Sequence, residues 1–217
     1  MPAAKERLSQ LLALVAERRW TALAHELARL VLDWPDDYPP SMRPPVLALL
    51  EWAARECDAG TRAEIAALMG GHPDLPLSLL NELYLAAPAP LRREILMRNE
   101  LESDGDEADA AVDAEALLHA ARNGTRDFAG MLGGIAAIPR AVAQAVLTDA
   151  SGEPLAVLCR GAGLDRATFS AVALLRGCRG LPLSVFDTVP EHAAHRIMRH
   201  WRKPAEHPHH VLATAAE

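Results

Sequence analysis

Apolar residues recur at three- and four-residue spacing along nearly the whole chain, in short stripes that proline and glycine cut off. Leu23, Leu27, Leu30 and Val31 share one side of a helix, and so do Val46, Leu49, Leu50 and Ala53. Long alternating runs of β-branched residues, the signature of strands, are absent. Aromatic residues are only 4% of the chain, so the core has to be built from Ala, Leu, Val and Ile. Alanine is a strong helix former whose small side chain lets helices approach closely. The expected fold is therefore all-α: a HEAT-like helical repeat or an irregular helix bundle.

One set of landmarks occurs twice. Ala48-Leu49-Leu50, Gly60-Thr61-Arg62, Leu75-Pro76 and Pro88-Ala89-Pro90 are followed later by Ala116-Leu117-Leu118, Gly124-Thr125-Arg126, Ile138-Pro139 and Glu153-Pro154 at nearly the same spacing. This pattern predicts an internal duplication, since a helix pair cannot bury its apolar stripe alone and such units come in series.

Charge marks the boundaries. Residues 100–113 contain seven acids and no bases, which equals the whole net charge of -7, and the flanks cancel. The expected organisation is an N-terminal helical unit at 1–99, an acidic linker at 100–113, a C-terminal helical unit at 114–203 and a flexible tail at 204–217. The linker's functional alternative is a docking strip for a basic partner. Ser41 is the expected cap of the helix carrying Pro44 and Pro45. Thr61 and Glu64 form an expected capping box, and Gly130–Gly134 reads as a helix end. Leu181-Pro182 is expected to start a helix in the manner of Leu75-Pro76 and Ile138-Pro139.

Leu77-Ser78-Leu79-Leu80-Asn81-Glu82-Leu83-Tyr84 with Pro90–Leu96, then Glu153–Phe169 continuing to Leu174-Leu175-Arg176, and finally Ala193–Trp201, resemble the uncharacterised alphaproteobacterial family called domain of unknown function 2336. The resemblance begins near residue 45. It implies an all-α, repeat-like fold in a bacterial cytoplasm and carries over no catalytic residue.

Three patterns could carry function. Leu155–Leu175 has the layout of a helix-turn-helix, with Gly163 at the turn, Cys159 at the small buried position, and Leu158, Leu164, Phe169 and Val172 at core positions. Arg160, Arg166, Arg176 and Arg179 are its candidate nucleic-acid contacts. The outward positions Ala167, Ser170, Ala171 and Ala173 suit base reading poorly. His25-Glu26-Leu27 faintly resembles a phosphoacceptor box, making His25 the candidate phosphoacceptor, although no nucleotide-binding glycine-rich segment accompanies it. His192, His195, His200, His207, His209 and His210 cluster near the C-terminus without the carboxylate or thiolate support a built zinc site needs.

No GxSxG, Walker, HExxH or GxGxxG sequence occurs, and no metal or cofactor is expected. Cys57, Cys159 and Cys178 lack zinc-type spacing and read as reduced thiols. With no apolar run of the ~18–20 residues a membrane span needs, a cytoplasmic location follows as the expectation. The reading is a non-catalytic interaction or adaptor module, of the kind bacterial signalling uses, with an unidentified protein partner. A DNA-binding regulator using residues 155–176 is the runner-up, and a histidine phosphotransfer adaptor is third.

Overall fold

The computed structural model describes residues 2–102, 112–123, 127–176 and 182–203. The regular structure of these residues is all helical, with no strand among them. The helices are α1 (Pro2–Ala16), α2 (Trp20–Leu32), α3 (Arg43–Glu56), α4 (Ala59–Met69), α5 (Leu77–Leu83), α6 (Ala89–Leu101), α7 (Ala114–Arg122), α8 (Phe128–Ala136), α9 (Arg140–Thr148), α10 (Glu153–Gly161), α11 (Arg166–Leu175), α12 (Val185–Thr188) and α13 (Glu191–Arg202). Short 3-10 turns stand at Pro40–Met42 and Tyr84–Ala86. No single described helix is long and apolar enough to cross a membrane; α8 and α9 pass that test only as a pair bent by 116°.

The chain divides into two units, residues 1–93 and 94–204, so the division falls inside α6. Both edges of the expected linker at 100–113 carry ordered structure. α6 runs on to Leu101, Val112 is buried, and the Asp113 carboxylate caps α7 through the amides of Glu115 and Ala116. Residues 103–111 and the tail from 204 lie outside the described residues.

In the first unit α2 is the hub. It packs chiefly on α3 and also on α1 and α4. Leu23, Leu27 and Leu30 are fully buried, and they meet a core completed by Leu50, Ile65, Met69, Leu79, Leu83 and Tyr84. Trp20 and Trp52 meet edge to face at 4.4 Å where α2 and α3 cross. In the second unit α10 is the hub, touching α9, α11, α12 and α13, with α13 its main partner. Leu155 through Cys159 are all buried, so this helix is apolar on every side. That is the mark of a central helix rather than a surface one.

Several helix starts share one device. Pro76, Pro139 and Pro190 are the N-caps of α5, α9 and α13, each in extended backbone. Proline has no amide hydrogen to lose there, and its carbonyl accepts the first helical bond, from Leu80, Ala143 and Ala194 respectively. The residue before each proline (Leu75, Ile138, Val189) and the residue accepted four on are all buried, the positions of a hydrophobic staple. Val189-Pro190 rather than Leu181-Pro182 is thus the third example: the short α12 begins only at Val185, and Leu181 lies outside the described residues.

Other expected caps move. Asp58, not Thr61, is the N-cap of α4 and accepts from the Thr61 amide at 2.8 Å. Thr61 sits one turn into the helix, buried, with its hydroxyl 3.4 Å from that of Thr21. Ser41 makes no cap, because the 3-10 turn Pro40–Met42 runs directly into α3. Gly130, Gly133 and Gly134 lie inside α8 rather than ending it; the helix stops at Ala137, which adopts left-handed backbone at φ 55°.

These caps bear on the duplication. Gly60-Thr61-Arg62 follows the capping Asp58 and lies within α4, whereas Gly124-Thr125-Arg126 precedes the capping Asp127 of α8. Residues 124–126 themselves lie outside the described residues. A closer parallel is Asp58-x-x-Thr61 with Asp165-x-x-Thr168. In each unit an aspartate caps a helix by accepting from the amide of a buried threonine three residues on, at 2.8 Å.

Candidate functional site

The helix-turn-helix layout is built as its residues suggest. α10 ends in a Schellman motif: the Gly163 amide donates to the Arg160 carbonyl at 3.0 Å, and the Leu164 amide donates to that of Cys159 at 2.9 Å. Gly163 supplies the required left-handed backbone at φ 72°, which a side chain would strain. Asp165 then caps α11. Leu158, Cys159, Leu164, Phe169 and Val172 are all buried. Burial pushes the Cys159 thiol up to about 12, so it stays protonated and unreactive in the folded chain.

The described arginines of this stretch have partners within the chain. Arg160 donates to the Phe186 carbonyl at 3.1 Å, lies over the Phe186 ring at 5.4 Å, and has Glu191 at 3.9 Å. Arg166 is paired with Asp187 at 3.3 Å. Arg176 lies over the Phe128 ring at 4.4 Å. Two of the three are thus gathered around α12 and the third is directed at α8; Arg179 lies outside the described residues. The same use of arginine recurs at helix ends. Arg202 donates to the Ala136 carbonyl closing α8, and Arg92 to the carbonyls of Tyr84 and Leu85. Such bonds satisfy carbonyls that a helix end leaves without an internal donor.

What α11 turns outward is small or apolar. Ala167 is exposed, Ser170 and Ala171 are half-buried, and at its C-terminal end Leu174 is 69% and Leu175 44% exposed. Ala173, expected outward, is buried. Leu174 and Leu175 carry part of the family resemblance, and it is their exposure, not their periodicity, that marks them as surface. On α6, Met97 and Leu101 are also exposed, one helical turn apart.

The remaining candidates resolve as follows. His25 is tied at both ring nitrogens, Nδ1 to the Thr21 carbonyl at 2.8 Å and Nε2 to the Glu64 carboxylate at 3.0 Å, bridging α2 and α4. A phosphoacceptor needs one of these nitrogens free to attack. Of the C-terminal histidines, His192 is exposed, His195 half-buried and His200 buried on α13, so they do not converge; His207, His209 and His210 lie outside the described residues. No group of three or more His, Cys, Asp or Glu among the described residues is arranged to hold a metal ion. Cys57, like Cys159, is a buried free thiol, raised chiefly by desolvation; Cys178 lies outside the described residues. A shallow groove of about 380 Å³ in the first unit has Pro40, Pro44, Leu47 and Pro76 along it, with Arg43 and Asp74 3.8 Å apart at its edge.

No curated protein and no solved structure matches the chain. The segments 77–84 and 90–96, which carried part of the resemblance, fall outside the residues matched by a family model. Residues 107–200, holding α7 through nearly all of α13, match the family model described as an uncharacterised protein conserved in bacteria, DUF2336.

Proposed function

We propose that the chain is a non-catalytic helical interaction module of the bacterial cytoplasm, which binds another protein through the C-terminal end of α11. The observation that carries this reading is the contrast on one helix pair. Leu174 and Leu175 stand exposed, while the described arginines that would have to meet phosphate or base edges are spent on Phe186, Asp187 and Phe128. Exposed adjacent leucines favour an apolar contact, and apolar patches on helical domains commonly serve as interfaces. A nucleic-acid reader would instead turn Arg, Asn or Gln outward from its second helix. Free thiols at Cys57 and Cys159 support a reducing compartment.

The test has two arms. Charge placed at the leucines (Leu174→Glu with Leu175→Glu) is expected to abolish co-purification of the partner while leaving helicity and melting temperature unchanged, because both side chains are exposed. Mixing the chain with duplex DNA at low salt is expected to give no shift. A shift that weakens steeply as salt rises, together with unaffected protein capture by the leucine variant, would replace this reading with a DNA-binding one.

A further inference from the structure

In the first unit, one side of α3 forms a wall of the groove of about 380 Å³. Arg43, Pro44, Leu47 and Glu51 follow one another along it, and Asp74 and Pro76, leading into α5, stand opposite. The middle of the groove is apolar, with Pro44 and Leu47 on one side and Pro76 on the other. The two charges of α3 are held apart. Arg43 and Glu51 are separated by about 12 Å at the helical rise.

Both charges are weakly satisfied from within the chain, although their side chains are only 30% and 22% exposed. Arg92, Arg160 and Arg202 all reach backbone carbonyls at close range, 3.1 Å from Arg160 and 3.0 Å from Arg202. Arg43 instead has the His72 ring at 3.5 Å and the Asp74 carboxylate at 3.8 Å, and its buried Nε has no partner among the described residues. Those distances are well beyond the ~2.7–2.9 Å of a charge-assisted bond to a carboxylate. Glu51 accepts one bond, at 3.3 Å, from Arg55, whose guanidinium gives its closer bond, at 3.0 Å, to Glu82. A buried donor without an acceptor costs stability, which an incoming acceptor restores.

We propose that this groove binds an extended polypeptide segment carrying an acidic and a basic residue four apart, with apolar residues between them. The acid meets Arg43 and the base meets Glu51. Four extended residues span about 13 Å, which matches the separation of the two charges on α3. Alternate side chains of an extended chain share one face, so the acid, the middle apolar residue and the base all turn toward the groove. The middle residue settles between Leu47 and Pro76. Asp74 is exposed and turns to solvent as the incoming carboxylate takes its place. With Glu51 and Asp74 along it, the groove is a poor track for a phosphate backbone. The site is separate from α11 and does not depend on the reading of Leu174 and Leu175.

The probe is a labelled peptide, Asp-Leu-Ala-Leu-Lys blocked at both ends, titrated into the full chain and followed by fluorescence anisotropy. Saturable binding is expected. Arg43→Gln and Glu51→Gln are each expected to weaken it about fivefold, with an unchanged melting curve. Arg43→Glu is expected to invert the preference: the unaltered chain favours this peptide over Lys-Leu-Ala-Leu-Lys, and the variant favours the second. An inversion cannot arise from impaired folding, so it keeps the test decisive. Leu174→Glu with Leu175→Glu is expected to bind the peptide as the unaltered chain does. Absence of saturable binding, equal binding of a peptide with Asn and Gln in place of Asp and Lys, or equal binding when acid and base stand two apart each overturns the proposal. So does equal binding by the Arg43 and Glu51 variants, a preference that does not invert, or weakening by the leucine variant.

Discussion

Gly161 sets how closely α10 and α13 cross, and Gly161→Ala is the sharpest test of the packing. A Cβ at this position would collide with the Ala194 carbonyl oxygen and stand 2.8 Å from its carbon and 2.9 Å from the Met198 Cβ. Two of these are backbone atoms of α13, which cannot swing aside as a side chain does. Overpacking of this kind costs about 1–3 kcal/mol. Alanine's better helix propensity returns at most ~1 kcal/mol, and less at the last residue of a helix. The net expectation is a loss of about 1–2 kcal/mol, or roughly 4–8 °C in the melting of a unit this size. Gly134→Ala is the control, because nothing lies within 4 Å of its added Cβ in α8. The same substitution there should stabilise by about 0.5–1 kcal/mol. Urea unfolding followed by circular dichroism reads both. Gly161→Ala equal to or more stable than wild type would refute a close α10–α13 crossing and with it the placement of the second unit's hub.

Three further outcomes follow from named contacts. Hydrogen bonds from the Thr61 amide first, and from both groups of Thr168, hold the Asp58 and Asp165 carboxyls below their ordinary value of 3.8. A depressed folded pKa means stability that is present above about 4 and lost as pH falls through the folded value. Asp58→Asn with Asp165→Asn should therefore flatten the acid limb of the pH–melting curve, and an unchanged limb would count against the caps. Cys57 and Cys159 should resist alkylation of the native chain and react fully in denaturant, checked by mass mapping; fast native labelling of Cys159 would contradict its burial. Arg202→Ala removes the donor to the Ala136 carbonyl and should cost about 1 kcal/mol in the same unfolding assay, with no effect expected in the first unit.

Much of the fold is legible before any coordinates. The stripe Leu23, Leu27, Leu30 and Val31 is the buried side of α2, and the Gly163 turn with its flanking core positions follows from spacing alone. Three kinds of feature escape a one-dimensional reading. Capping depends on which of two neighbouring polar residues is buried: Thr61 goes inside beside Thr21, which leaves Asp58 as the cap. Glycines read as helix ends where tertiary packing in fact demands them, as at Gly133, whose added Cβ would stand 2.9 Å from the Ile138 carbonyl oxygen. The landmark repeat pairs two Gly-Thr-Arg triplets in the sequence but does not locate the caps beside them, Asp58 before one and Asp127 after the other. Of the candidate site, the arginines were visible as charge, but not their engagement, since Phe186, Asp187 and Phe128 are distant in sequence or lie in segments with little periodicity.

Placing a photo-crosslinking amino acid at position 174 tests the central claim most directly, with the same group at exposed Ala67 as the control. Irradiation in the native bacterial cell is expected to give a discrete covalent adduct between the 174 derivative and a second polypeptide, absent from the 67 derivative. Adducts to nucleic acid at 174, or the same pattern of adducts from both positions, would contradict an account in which α11 exists to present a protein-binding surface.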